Sequence, residues 1–285
     1  MKVSAEDFRL IAIDLDGTLL SPESQVTPRT KAAVQAVVDA GLQVCFATGR
    51  NWTESRRILA AVGHEGPMVF VGGAMVVDTR LGQTLHCQRM APALAKELCE
   101  TFEAQGHAVL ALQDRASAGV DYLIGDGGRM NESTRYWLQA TEASYRLVES
   151  GWLPQHDHAH TVRIGIVAAP MDVDTTARRI VARFGDRIVS HAIHVPSSGV
   201  DVYETFDPGV SKWHGVMAVA RRHGIEGRQV IAIGDDVNDL PMLRQAGLGI
   251  AMGNARPAVL AEIKNVIGSN AEDGLAQFLE DLISH

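Results

Sequence analysis

The chain has 285 residues, 46% hydrophobic and 21% charged, enough apolar material for one large core or two modest ones and too little polar bias for disorder. A formal net charge of −8 with no concentrated Lys/Arg stripe argues against nucleic acid or an anionic membrane as partner, whereas a small anion can still find a locally positive site. The opening "MKVSAEDFRL" lacks the apolar core of a signal peptide and no later apolar run is of membrane-spanning length, so the expected location is the cytoplasm; Cys45, Cys87 and Cys99, without ligand spacing, read as reduced, packed thiols.

In chain order, residues 10–13 are an apolar strand. Thr27 then caps a helix with Pro28 in its first turn, Ala33, Val34, Val37 and Val38 recur at helical spacing, and Gly41 closes it. A strand over 42–47, a helix over 52–62 and a third strand over 68–71 continue the alternation, which predicts a doubly wound, Rossmann-like α/β region with parallel strands in one sheet covered on both faces. The rhythm changes after Gly82. Strands over 107–113, 121–124 and 162–168 alternate with helices over 92–105, 131–145 and 173–184, and the turn-rich stretches "IGDGGR" and "SGWLPQHDHAH" intervene. From Lys212 the first rhythm returns: a helix to His223, strands over 230–233 and 248–251 with a helix over 240–245 between them, and two closing helices. The expected organisation is a core domain split between 1–82 and 196–285, with an α+β module inserted over 83–195.

Open parallel sheets bind ligands beyond the carboxyl ends of their strands. Four features fall at such ends: Asp14 and Asp16, then Thr48-Gly49-Arg50, then Gly234-Asp235-Asp236, then Gly253-Asn254, with Lys212 starting a helix. If the strands are neighbours, Asp14, Asp16 and Asp235 converge, with Asp239 one turn beyond Asp235. Carboxylates that close raise one another's pKa unless a cation intervenes. Oxygen ligands without Cys or His at matching spacing favour a hard ion, Mg²⁺ above all, and disfavour zinc.

"DLDGTLL", "ATGR", Lys212 in "GVSKWHGV", and "IGDDVNDLPML" followed by "AMGNA" resemble the four motifs of the haloacid dehalogenase (HAD) superfamily of phosphohydrolases. The insertion between the second and third motifs resembles the Cof-type branch with its large α+β cap, and "NAEDGLAQFL" resembles that branch's closing stretch. The resemblance implies Asp14 as nucleophile, forming an aspartyl-phosphate, and Asp16 as general acid and base. It implies Thr48 and Lys212 on the phosphoryl group, and Mg²⁺ held by the Asp14 side chain, the Asp16 carbonyl and Asp235. Asp239 then holds metal-bound water or Lys212, and Asn238 contacts the phosphate or the metal shell. Gly17 allows a tight bend and Gly49 lets backbone amides approach an anion. Two departures stand out. Trp213 follows Lys212 where the family commonly has glycine, which bears on the helix start or the pocket wall, and Gly72 stands where an asparagine is common.

Arg50 reads either as an anion contact or as an ion-pair partner, and Asp236 as a helix cap rather than a ligand. In "HDHAH", residues 156–160, alternating histidines on an extended strand would share a face and suit a metal, but no fourth ligand is identifiable, so a solvated loop is the plainer reading. Tyr122, Tyr136, Trp137, Tyr145 and Trp152 read as core or interface aromatics. The implied function is Mg²⁺-dependent hydrolysis of a small phosphorylated metabolite, such as a sugar phosphate, beneath a cap that excludes water and sets specificity. A phosphomutase or phosphotransferase uses the same intermediate; a non-catalytic phosphate-binding module is the alternative of another class, and it has little use for the second carboxylate, Asp16.

Overall fold

A computed structural model describes residues 5–126, 130–195 and 199–284. The sequence-assigned boundary at Pro196, the Gly127–Arg129 part of "IGDGGR" and the first four residues lie outside them. In chain order the elements are β1 (Leu10–Ile13), α1 (Pro28–Asp39), β2 (Gln43–Phe46), α2 (Trp52–Val62), β3 (Pro67–Phe70), β4 (Met75–Asp78) and β5 (Gln83–Cys87). Then follow α3 (Pro92–Ala104), β6 (Val109–Gln113), α4 (Arg115–Ala118), β7 (Tyr122–Gly125), α5 (Glu132–Thr141), β8 (Tyr145–Val148), β9 (Thr161–Ala168), α6 (Pro170–Phe184), β10 (Val189–Val195) and β11 (Val200–Phe206). The last are α7 (Lys212–Arg222), β12 (Val230–Gly234), α8 (Leu240–Gln245), β13 (Leu248–Ala251), α9 (Pro257–Glu262) and α10 (Gly274–Ile283).

The chain forms two compact units, one from residues up to His86 together with those from Ser211 on, the other Cys87–Val210. The expected boundaries differ from these at both joints. Residues 83–86 stay with the first unit, and β11, given by sequence to the core domain, is the strand that pairs with both β9 and β10 in the second unit's sheet, so its backbone hydrogen bonds decide its membership.

In the first unit a parallel sheet runs β13-β12-β1-β2, as the doubly wound reading requires. All four residues of β1 are fully buried, which is why the strand is apolar on both faces. The pairing is level: Ile13 lies opposite Ile233 and Phe46, and Gly234 opposite Ala251. Every strand therefore releases its chain at the same edge. The third strand differs from expectation. β3 joins β2 through a single parallel bridge, Ala47 with Val69, and otherwise pairs antiparallel with β4 in a second small sheet β3-β4-β5. The chain leaves β2 immediately to form the Thr48-Gly49-Arg50 turn, which ends the ladder. Helix α1 starts as its sequence indicates, with Thr27 Oγ1 accepting from the Thr30 N–H at 3.1 Å and Pro28 at the first position.

The second unit is a mostly antiparallel sheet, β10-β11-β9-β6-β7-β8, with one parallel pair between β7 and β8. Ile164, Ile166, Ala111, Leu123 and Tyr203 from the sheet pack with Leu98 and Phe102 of α3 and Ile180 and Phe184 of α6. The expected helix over 131–145 stops at Thr141 because Glu142 turns left-handed at φ 56°, and Tyr145 opens β8. Tyr122 and Trp137 are core residues in edge-to-face contact, whereas Tyr136, Tyr145 and Trp152 are exposed, so the expected packing role holds for only two of the five. The "HDHAH" segment is not an extended strand. His158 turns left-handed at φ 55°, is wholly buried, and bonds Thr161 Oγ1 at 2.9 Å and the Leu153 carbonyl at 2.8 Å, while His156 stacks on Trp152. No described helix is long and apolar enough to cross a membrane. Cys45 and Cys99 are buried and unpaired, and burial pushes the Cys45 thiol up to about 12.

Candidate active site

The level strand ends bring sequence-distant carboxylates together. Asp14 follows β1 and is tied to β12 by its N–H to the Ile233 carbonyl at 3.0 Å. One oxygen each of Asp14, Asp235 and Asp239 lie within 4.8 Å of one another, the one such group of potential metal ligands among the described residues. Lys212, the first residue of α7, is buried among them, with Nζ at 2.5 Å from Asp14 Oδ1 and 2.6 Å from Asp239 Oδ1. The second oxygen of Asp239 accepts the backbone N–H groups of Asp235 and Asp236, both at 3.0 Å. Asp239 is thus committed to donors already inside the protein and acts as the anchor of the lysine. Asp235 receives the Thr18 hydroxyl at 2.9 Å.

Glycines make the approach possible. A Cβ on Gly17, which has φ +80°, would sit 2.3 Å from Asp235 Oδ2, and one on Gly73, at φ +105°, 1.9 Å from the Ser211 carbonyl oxygen. Only at these backbone positions can the first loop reach Asp235 and the β3–β4 turn reach the residue that caps α7. Ser211 accepts the His214 N–H at 3.3 Å, so the helix start that aims Lys212 is capped normally despite Trp213. Trp213 packs with the first unit's apolar cluster and beneath Gly227, not into the carboxylate group, which answers the first departure from the family pattern.

Burial pushes Asp14 well above the usual carboxylate range; Lys212 opposes this and Asp239, Asp235 and Asp16 reinforce it. Burial also works against charge on Lys212, but Asp14 and Asp239 outweigh it and hold the ammonium above the ordinary lysine value. Lys212 stays protonated, and the surplus of negative charge falls on the carboxylates. Asp235 is pushed up to about 7 by burial and by Asp239, with Thr18 partly offsetting them. The donors here fit a hard cation: all are oxygens, their charge exceeds that of the one lysine, and Asn238 Oδ1 is buried without a hydrogen-bond partner on the same turn.

The turn after β2 lies beside this group. Thr48 is buried, its N–H donating to the Val69 carbonyl at 3.0 Å and its carbonyl accepting the Gly72 N–H at 3.0 Å, and Gly49 continues the turn. Asp16 stands apart from the buried carboxylates; its side chain is half exposed and bound by Arg50, Nε to Oδ2 at 2.8 Å and Nη2 to Oδ1 at 2.6 Å. Of the two readings of Arg50, the pairing is realised, with a partner 34 residues away that the sequence did not reveal. Asp236 accepts the Val237 N–H at 2.6 Å and pairs with Arg256 at 2.9 Å, the arrangement of a cap. Three contributors lacked an assigned role in the sequence: Thr18 on Asp235, Asn254 Nδ2 donating to the Gly17 carbonyl at 2.8 Å, and Asn270, whose Nδ2 donates to the Leu20 carbonyl at 2.8 Å. For Thr18 and Asn254 the signal was present in "DGT" and "GNA", as polar residues just beyond strand ends; Asn270 opens a short helical turn well past the last strand.

The profile of the haloacid dehalogenase-like hydrolases matches residues 11–279. The chain belongs to that family. A relative, the HMP-PP phosphatase of Cronobacter sakazakii, is 30% identical over 283 residues, covering 97% of this chain and 96% of its own. The 5-amino-6-(5-phospho-D-ribitylamino)uracil phosphatase of Bacillus subtilis is 28% identical over 277 residues, with 96% and 97% covered. In fold, a haloacid dehalogenase-like hydrolase from Bacteroides thetaiotaomicron superposes with a TM-score of 0.76 at 20% identity, covering 96% of this chain and 98% of its own. The α/β core with a second sheet-bearing unit is therefore the haloacid dehalogenase-like fold along its whole length.

Proposed function

We propose that the protein is a Mg²⁺-dependent phosphatase that hydrolyses a small phosphorylated metabolite through an aspartyl-phosphate on Asp14. The reaction class, phosphoric monoester hydrolysis, follows from family membership with phosphatase relatives along the full chain. The observation that carries the site assignment is the convergence of Asp14, Asp235 and Asp239 around one buried lysine. In the first displacement an Asp14 oxygen bonds to phosphorus as the bond to the leaving oxygen breaks, and Asp16 gives that oxygen its proton. In the second, water bonds to phosphorus while Asp16 takes its proton, the Asp14–phosphorus bond breaks, and inorganic phosphate leaves. Lys212 restrains the Asp14 carboxylate and neutralises charge on it, and the Thr48 hydroxyl supplies a donor to a phosphoryl oxygen, its backbone N–H being held by the Val69 carbonyl. Mg²⁺ would be held by Asp14, Asp235 and the Asp16 carbonyl, with Asn238 beside it, and would supply charge neutralisation and orientation of the phosphoryl group.

Two relatives of nearly equal identity bear different substrates in their names, so overall similarity does not choose among small phosphorylated metabolites. The test is phosphate release from p-nitrophenyl phosphate with Mg²⁺. Asp14→Asn should lower kcat by about 10⁴-fold or more, and chelation should abolish turnover. An Asp14→Asn enzyme of normal activity would reject the nucleophile. Conversion of a sugar phosphate to its isomer without phosphate release would mark a mutase, and ligand retention without turnover a binding module. A panel of phosphorylated metabolites, including those of the two relatives, ranked by kcat/KM, identifies the substrate.

A further inference from the structure

We propose that Arg50 is the positioning residue for Asp16, fixing the plane of the carboxylate that exchanges protons with the leaving group and with water. The inference rests on the reading above, in which Asp16 is the general acid and base.

The contact is a two-point fork, Nε to Oδ2 and Nη2 to Oδ1. Such pairing sets orientation as well as proximity, because the planar guanidinium and the carboxylate must be coplanar. Stability does not account for it: the side chains are 36% and 51% exposed, and ion pairs that open to water contribute little. The backbone beneath each partner is nonetheless firmly built. The Arg50 N–H donates to Thr48 Oγ1 at 3.1 Å and its carbonyl accepts the Val71 N–H at 2.9 Å. Val71 makes that bond from the left-handed region, φ 55°, a conformation that is strained for a β-branched residue. Next to Arg50, Asn51 opens α2 with a full capping box to Glu54. On the other side the loop carrying Asp16 is tied down through Asn254 to the Gly17 carbonyl and through Asn270 to the Leu20 carbonyl. Two rigid loops, 34 residues apart, are thus joined by one fork. Without it a half-exposed aspartate would sweep its rotamers, and proton transfer is sensitive to placement on the scale of an ångström. A lysine, being a point charge, cannot reproduce the coplanar grip.

The test compares wild type, Arg50→Lys and Arg50→Ala on substituted phenyl phosphates of increasing leaving-group basicity. The readout is kcat/KM, which reports transfer to Asp14. If Arg50 orients the acid, Arg50→Ala should lower kcat/KM about 10- to 100-fold for the most basic leaving groups and less than about 3-fold for p-nitrophenyl phosphate, which needs little proton assistance. KM should stay nearly constant, Arg50→Lys should not rescue, and in an Asp16→Ala background Arg50→Ala should add less than about 2-fold, since the two act as a unit. An equal loss across the series with raised KM, additive to Asp16→Ala, would instead place Arg50 on the phosphoryl group and overturn the proposal. Unchanged thermal midpoints check folding, with Arg50→Gln as a second truncation. Wild type inert toward the whole series, or Asp16→Ala fully active, would overturn the reading of Asp16 itself and the role of Arg50 with it.

Discussion

Among the described residues of the second unit, each buried ionised side chain meets an opposite charge: Arg163 meets Glu204, with the Tyr122 hydroxyl accepting at 2.7 Å, Asp121 meets Arg115 at 2.8 Å, and Asp114 meets Arg89 at 3.8 Å. In the first unit, Lys212 alone faces Asp14 and Asp239 with Asp235 beside them. Matched burial is what a fold needs to accommodate charge at all; unmatched burial persists only when something outside the chain completes it. The imbalance, more than the presence of carboxylates, distinguishes the site from the scaffold.

The sharpest way to break this contrast is to neutralise both members of each buried pair. Lys212→Met should reduce kcat by at least about 10²–10³-fold, and adding Asp239→Leu should restore none of it. In the second unit Arg163→Met should cost about 3–5 kcal/mol in urea denaturation by leaving Glu204 unpaired, while Arg163→Met/Glu204→Leu should recover most of that loss. Recovered turnover in the Lys212/Asp239 double variant would erase the distinction.

Glycines sharpen it next. Gly17→Ala faces both a left-handed backbone and Asp235 Oδ2, so it should destabilise by about 2–4 kcal/mol and weaken Mg²⁺ binding measured by calorimetry. Gly119 is also left-handed, at φ +74°, but a methyl group added there would meet nothing within 4 Å, so Gly119→Ala should cost only about 1 kcal/mol.

The smallest effect at neutral pH concerns His158. Burial pushes its pKa down to about 4, with the Leu153 hydrogen bond opposing, so above about pH 6.5 the ring is neutral in both states and this histidine costs the second unit no stability. Between pH 6.5 and 4 the unfolded chain binds a proton that the folded ring refuses, and stability falls as pH falls. Amide exchange in β9 should report this acid loss. His158→Asn, a residue suited to the left-handed backbone, should flatten it at a neutral-pH cost of about 1–2 kcal/mol.

The legible parts of the sequence were those governed by local rules. β1 reads as a strand because both faces are buried; α1 reads from Thr27, Pro28 and its apolar spacing, and α2 from the strand–helix alternation; and the acidic residues at strand ends point to a site because parallel register levels those ends. β10 is not legible because "VSHAIHV" mixes polar and apolar residues on an edge strand whose partner alone defines it. β3 reads as a strand of the main sheet because periodicity carries no information about where a ladder stops. The Arg50–Asp16 fork joins two exposed polar residues through tertiary folding, and the rank of Asp239 as lysine anchor depends on which of its oxygens meets which donor. Neither leaves a trace in spacing.

Lys212 and Asp14 are 198 positions apart, and β1 has β12 as one of its two neighbours. During synthesis β1 can pair with β2 early, yet its other edge stays bare until the ribosome has delivered residues 230–234. The carboxylate group around Lys212 can therefore assemble only after this late part of the chain has been made, because Lys212, Asp235 and Asp239 all come from it while Asp14 is made at the start.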